Sequence, residues 1–174
     1  MKRVYRQSQL GFALRFVLSM IVLTVVYSHL ESLLNYAYLW PLSLAAAQLL
    51  DFFGVPTVLH GYLDQGFCAL QMENNLFHIK NECTGVFFLC VFVTTVVVYS
   101  TSWSAKVRGV VLGVLAFFAY SVVRIVVLAL IGDLAPSQLE FFHVYLMVAL
   151  NLGFLFYLWI FWVNRWGARL AAST

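Results

Sequence analysis

The sequence predicts an all-α integral membrane protein of about four transmembrane helices, with an outer interfacial helix and a short outer-face hairpin. Three observations carry this expectation. Apolar residues make up 63% of the chain and charged residues only 10%, far outside the soluble range. The mean hydropathy is strongly positive. The apolar residues also gather into runs close to the roughly 20 residues that a helix needs to cross a bilayer. Over 174 residues nothing argues for a second domain, so 1–174 reads as a single transmembrane domain.

Residues 1–32 hold the first span, apolar over 12–28. Basic residues precede it as in a signal peptide, but only Ser28-His29-Leu30-Glu31 follows, with no small-residue cleavage site, so a retained helix is expected. Residues 33–53 are apolar but interrupted by Pro41, Ser43, Gln48 and Asp51. Proline suits the first turn of a helix, and from Pro41 to Phe53 a helix is only ~20 Å long. A helix lying in the outer interface is therefore expected, the competing arrangement being a fifth span. Residues 54–82 turn polar, with loose alternation over 66–72 and 76–80 on either side of Glu73-Asn74-Asn75. That is the pattern of a hairpin whose second strand leads to Cys83. Residues 83–165 form a three-span core, with apolar runs at 84–100, 109–131 and 143–163. Gly109 and Gly113, four apart, suit close helix packing.

The net charge of +3 matters less than its placement. Lys2, Arg3, Arg6 and Arg15 open the chain, Lys106 and Arg108 form a loop cluster, and Arg165 and Arg169 close it. Four spans with both termini cytoplasmic put all three clusters inside, as the positive-inside rule requires. A fifth span would break that agreement. Tyr99, Trp103, Trp159, Trp162 and Trp166 then gather at the inner boundary as aromatic anchors. A multi-pass protein of the plasma (inner) membrane is expected. The basic residues are too few and scattered for nucleic-acid binding.

This threading brings three reactive side chains to the outer boundary. Cys83 begins the second span, His143 begins the fourth, and Arg124 lies ~23 Å into the third. An arginine in an apolar helix costs about 2.5–3.5 kcal/mol on lenient insertion scales and is a functional candidate by default. Its structural alternative is pairing with lipid headgroups, Asp133 or Glu140. Cysteine is the natural nucleophile, arginine suits the oxyanion of a tetrahedral intermediate, and histidine suits proton transfer. Glu140, three residues before His143, is placed to orient the imidazole, and Glu82 adjoins the nucleophile. Cys90 reads as a packing residue. Cys68, on the hairpin, is a possible disulfide partner for Cys83 in an oxidising compartment, which would make Cys83 structural. His29, His60 and His78 match no metal motif, and no metal or cofactor is expected.

On these residues the chain resembles the exosortase/archaeosortase family of membrane cysteine transpeptidases. The resemblance rests on Glu82-Cys83-Thr84-Gly85 opening a span, Arg124-Ile125 within the next and His143 at the head of the last. It covers roughly 54–165, in the family's order. It implies a catalytic triad of Cys83 as nucleophile, Arg124 as stabiliser and His143 as acid or base, with Glu82, Thr84 and Ser121 in support. Ser121 stands three residues before the arginine, where members often carry asparagine. The implied substrates are exported proteins ending in a short motif, a transmembrane helix and a basic tail. They would be cleaved on the outer side through a thioester and passed to a lipid or polysaccharide amine or to water. Membrane lipids are further expected partners. The runner-up reading is a non-catalytic assembly or scaffold protein with a structural arginine and an inert or paired cysteine.

Overall fold

The computed structural model describes the backbone over 2–73 and 75–167, and the side chains over 11–73, 75–81 and 83–167. Helix α1 (Lys2–Leu34) runs through a π-helical turn (Asn35–Leu39) directly into α2 (Trp40–Phe52). Strands β1 (Val58–Tyr62), β2 (Phe67–Gln71) and β3 (Leu76–Lys80) follow, then a 3-10 turn (Asn81–Thr84) and α3 (Val86–Val98). Helix α4 (Trp103–Leu134) leads to a last helical stretch made of α5 (Leu139–Phe141), a π-helical turn (Phe142–Leu146) and α6 (Met147–Trp162). Three helices are long and apolar enough to cross a membrane: Gly11–Phe52, Trp103–Leu134 and Pro136–Gly167. The protein is thus a helical membrane protein carrying one small sheet.

Several boundaries differ from the sequence expectations. Residues 33–53 are not a separate helix, because the helical course is unbroken from α1 into α2. A proline inside a helix clashes with the carbonyl four residues back. Here the wider π-helical turn precedes Pro41 and takes up that conflict. Lys106 and Arg108, expected in a loop, lie on the first turns of α4. Ser102 starts that helix early by accepting a hydrogen bond from the Ala105 backbone N–H, an ordinary N-cap. Lys106 Nζ then donates to the Val97 carbonyl at 2.6 Å, covering the end of α3. His143 does not head its helix, since the helical stretch already starts at Pro136.

The expected hairpin is present as β2 and β3, paired Cys68 to Ile79 and Leu70 to Phe77. Strand β1 adds a third, antiparallel strand, with Gly61 opposite Cys68. The face carrying Cys68, Leu70 and Ile79 packs on α2 and on Val122, Ile125 and Ala129 of α4. Gly61 is needed there, since a Cβ on it would stand 2.8 Å from the Trp40 ring.

A second core joins α3, α4 and α6 through Phe92, Phe117, Leu158 and Trp162. The Gly109/Gly113 pair does its packing by admitting rings. A Cβ at Gly113 would stand 2.6 Å from Phe92, and one at Gly109 would collide with Trp162. Trp162, expected as a boundary anchor, is fully buried and donates to the Ala105 carbonyl at 3.0 Å. It packs edge-on against Tyr99, so part of the aromatic belt is helix-packing core.

Candidate active site

The 3-10 turn Asn81–Thr84 holds Cys83 between the end of β3 and the start of α3. Three local features build it. Thr84 is buried, and its hydroxyl donates to the Asn81 carbonyl at 2.7 Å. Asn81 Nδ2 donates to Asn35 Oδ1, and Asn35 Nδ2 donates to the Leu63 carbonyl at 2.9 Å. The first π-helical turn therefore ties the cysteine turn to the sheet. Gly85 closes the turn at φ +72°, in the left-handed region where side chains are costly.

Gly85 has a second reason to lack a side chain. A Cβ there would lie 3.3 Å from Ser121 Oγ and 3.6 Å from Arg124 Nη1. The guanidinium thus sits directly behind the cysteine turn. Arg124 is only 6% exposed, and Nη1 donates to Asn151 Oδ1 at 3.4 Å. Neither Asp133 nor Glu140 pairs with it among the described residues; Asp133 instead accepts from Asn75 Nδ2 at 3.0 Å. Arg124 Nε and Ser121 Oγ are buried without a hydrogen-bond partner among the described residues. The Tyr38 hydroxyl faces Ser121 but falls short of hydrogen-bond geometry. The two hydroxyls can serve each other as donor and acceptor, and Arg124 Nε is the remaining buried donor of this cluster without a partner among the described residues.

His143 completes the arrangement from the second π-helical turn. Its Nε2 lies 3.9 Å from Cys83 Sγ, across sixty residues of sequence. The π-helical turn also sets the register of α6. His143 and Asn151 are eight residues apart, ~80° out of line on a regular helix at 100° per residue. The one-residue insertion of a π-turn reduces this to ~20°, so both face the site.

The structure therefore brings together Cys83, Arg124 and His143, with Ser121 and Thr84 close by. Glu140 is exposed and makes no hydrogen bond to His143 among the described residues. The side chain of Glu82 lies outside the described residues. Asn151 was not anticipated; the available signal was an isolated amide in the otherwise apolar run Met147–Trp162. All three cysteines are free. Cys68 is fully buried in the sheet core, where burial pushes its thiol pKa up, and it does not pair with Cys83. Among the described residues, no group of three or more His, Cys, Asp and Glu side chains is placed to hold a metal ion. Comparison of the chain with protein-family models, curated proteins and solved structures finds no match.

Proposed function

We propose that this protein is a membrane-embedded cysteine peptidase and transpeptidase of the exosortase/archaeosortase type. One observation carries the reading: a free thiol 3.9 Å from an imidazole, with a buried guanidinium that has no carboxylate partner among the described residues behind the same turn. A structural arginine in an apolar helix normally finds a counter-charge. Here its Nη1 stands 3.6 Å from the Cβ position of Gly85, beside the turn that carries the thiol.

The chemistry follows from these positions. His143 takes the proton of the Cys83 thiol, and the sulfur attacks the scissile carbonyl. The carbonyl oxygen becomes an oxyanion, which Arg124 stabilises from behind Gly85. His143 returns the proton to the leaving amine as the C–N bond breaks, leaving a Cys83 thioester. An amine or water adds to the thioester, and the thiol is regenerated.

The substrate class is an exported protein with a C-terminal motif, transmembrane helix and basic tail, cleaved on the outer side of the plasma membrane. Two features favour that placement. With both termini inside, the basic clusters obey the positive-inside rule. The continuous helix Gly11–Phe52 spans 42 residues, or ~63 Å, about twice the ~30 Å hydrocarbon core. Its second part, packed on the sheet, then belongs at and beyond the outer interface.

The test compares cells carrying the native chain with cells carrying Cys83→Ala, reading protein C-termini by mass spectrometry. Uncleaved tails accumulating only in the variant are expected. Indistinguishable C-termini, with the native protein expressed and tailed proteins present, would overturn the reading in favour of a scaffold.

A further inference from the structure

Strand β3 is an edge strand, since the sheet order is β1-β2-β3, and it runs straight into the cysteine turn that starts at Asn81. The hydrogen bond from the Met72 N–H to the Asn75 carbonyl, at 2.8 Å, fixes which of its backbone groups face β2. Hydrogen-bonded and non-bonded pairs alternate along an antiparallel ladder. Counted through the register from Met72 and Asn75, Phe77 and Ile79 bond to β2. Leu76 and His78 therefore turn their N–H and C=O away from the sheet, and Lys80 its N–H. Among the described residues these groups have no hydrogen-bond partner, and all three residues are exposed. An open row of this kind is a template for another extended chain.

Two contacts set the course of the strand. At its turn end, Asn75 Nδ2 donates to Asp133 Oδ1 at 3.0 Å. At its cysteine end, the Cβ position of Gly85 lies against Ser121 and Arg124. Arg124 and Asp133 are nine residues apart on α4, or ~14 Å, and the five residues of β3 rise ~17 Å. Lys106 and Arg108 on the first turns of α4 belong inside. Strand β3 thus descends along α4 from the outer side toward the bilayer and delivers the chain to Cys83. The far edge, β1, leads instead into the 3-10 turn Leu63–Gln65.

We infer that the open edge of β3 receives the substrate as an added, parallel strand. The inference rests on the peptidase reading and states how that site takes hold of its peptide. A tailed substrate also runs from outside inward, because its transmembrane helix follows the scissile bond, so its direction beside β3 is the direction of β3 itself. The segment before the scissile bond exchanges main-chain hydrogen bonds with Leu76, His78 and Lys80, and the chain then reaches Cys83 where the strand ends. Such pairing recognises the extended conformation of the peptide and leaves the reading of its side chains to the neighbouring surface.

The experiment runs in cells, on the full chain carrying Cys83→Ala, where uncleaved tailed proteins are expected to accumulate. A photoreactive benzophenone side chain is placed at Leu76, His78 or Lys80, or at His60 on the far edge, which lies in the same row as His78 across Ala69. Adducts are mapped by mass spectrometry. They should form from β3 and not from His60, and move toward the scissile bond as the probe moves from Leu76 to Lys80. The reverse order, or equal adducts from His60, would overturn the inference. In the active chain, His78→Pro removes an outward N–H and leaves the β2 ladder whole. It should cleave about tenfold less than His78→Ala, the worth of one hydrogen bond to the substrate; equal cleavage by the two would also overturn the inference. Tails that accumulate in Cys83→Ala without adducts on β3 sink this inference alone, whereas no accumulation in Cys83→Ala takes the peptidase reading down with it.

Discussion

Helices α1 and α4 are both long and apolar, yet the fold uses them in opposite ways. None of the most apolar window of the α1–α2 stretch is buried inside the protein, whereas 44% of the corresponding window of α4 is. Helix α4 contributes Val122, Ile125 and Ala129 to the sheet-side core and Phe117 to the helix-side core, and it carries Ser121 and Arg124. The described part of α1 instead exposes Val17, Leu18, Ile21, Val22 and Val25 along its length. Hydropathy alone does not separate the two roles. What separates them is which apolar helix also carries glycines that admit neighbouring rings and a polar group that finds partners inside. Helix α4 is the scaffold, and α1 is a wall joined to the site through Asn35 of the π-helical turn that follows it.

The strongest test of that contrast removes the charge from the scaffold. Arg124→Leu should lower turnover of a tailed substrate in isolated membranes by about 10²–10³-fold, the scale of losing an oxyanion donor. Arg124→Lys should fail to restore it, because the ammonium lacks the planar array of donors that can hold Asn151 and an oxyanion together. Full activity in Arg124→Lys would mean that only a distant charge is needed.

A second test fills the scaffold's groove. Gly113→Leu drives a side chain into Phe92, and overpacking of this kind costs about 1–3 kcal/mol. Thermal unfolding in detergent should register it as a lowered midpoint. The same bulk added at Gly11 or Gly153, where nothing stands within 4 Å of the Cβ position, should leave the midpoint unchanged.

The third concerns Asn151. Replacing it by leucine leaves the Arg124 guanidinium without its one side-chain acceptor among the described residues, a loss worth about 1–3 kcal/mol for a buried group. If Asn151 positions Arg124 for the transition state, kcat should fall about 10-fold or more while KM holds. A rise in KM alone would show that the amide serves substrate binding instead.

These residues also show what could be read from the chain beforehand. Cys83, Arg124 and His143 stood out because each is a reactive or charged group at the edge of, or inside, an apolar run, and that contrast is visible in a string. The β2–β3 hairpin was visible through alternation around a turn. Strand β1 was missed because Val58-Leu59-His60-Gly61-Tyr62 carries a glycine that weakens strand propensity, and the reason for it, the Trp40 ring, is twenty-one residues away in sequence. Asn151 was missed for a related reason. Its alignment with His143 depends on a π-helical turn, which no period of 3.6 anticipates. The start of the last helix at Pro136 was hidden because residues 136–142 are too polar in part to extend a hydropathy run.

The smallest expected effect lies on the wall. Val25 of α1 is 54% exposed. Truncating it to alanine exchanges side-chain contacts for contacts with lipid tails, which are as apolar as the methyl groups removed, so little driving force is lost. The change in stability should stay within about 0.5 kcal/mol, the range of substitutions away from special features. Ile125→Ala on α4, fully buried against the sheet core, should cost about 2–5 kcal/mol. Measuring both in the same detergent gives the contrast directly. Equal losses would mean that α1 is held against a further surface, and that its exposed face is an interface rather than a wall against lipid.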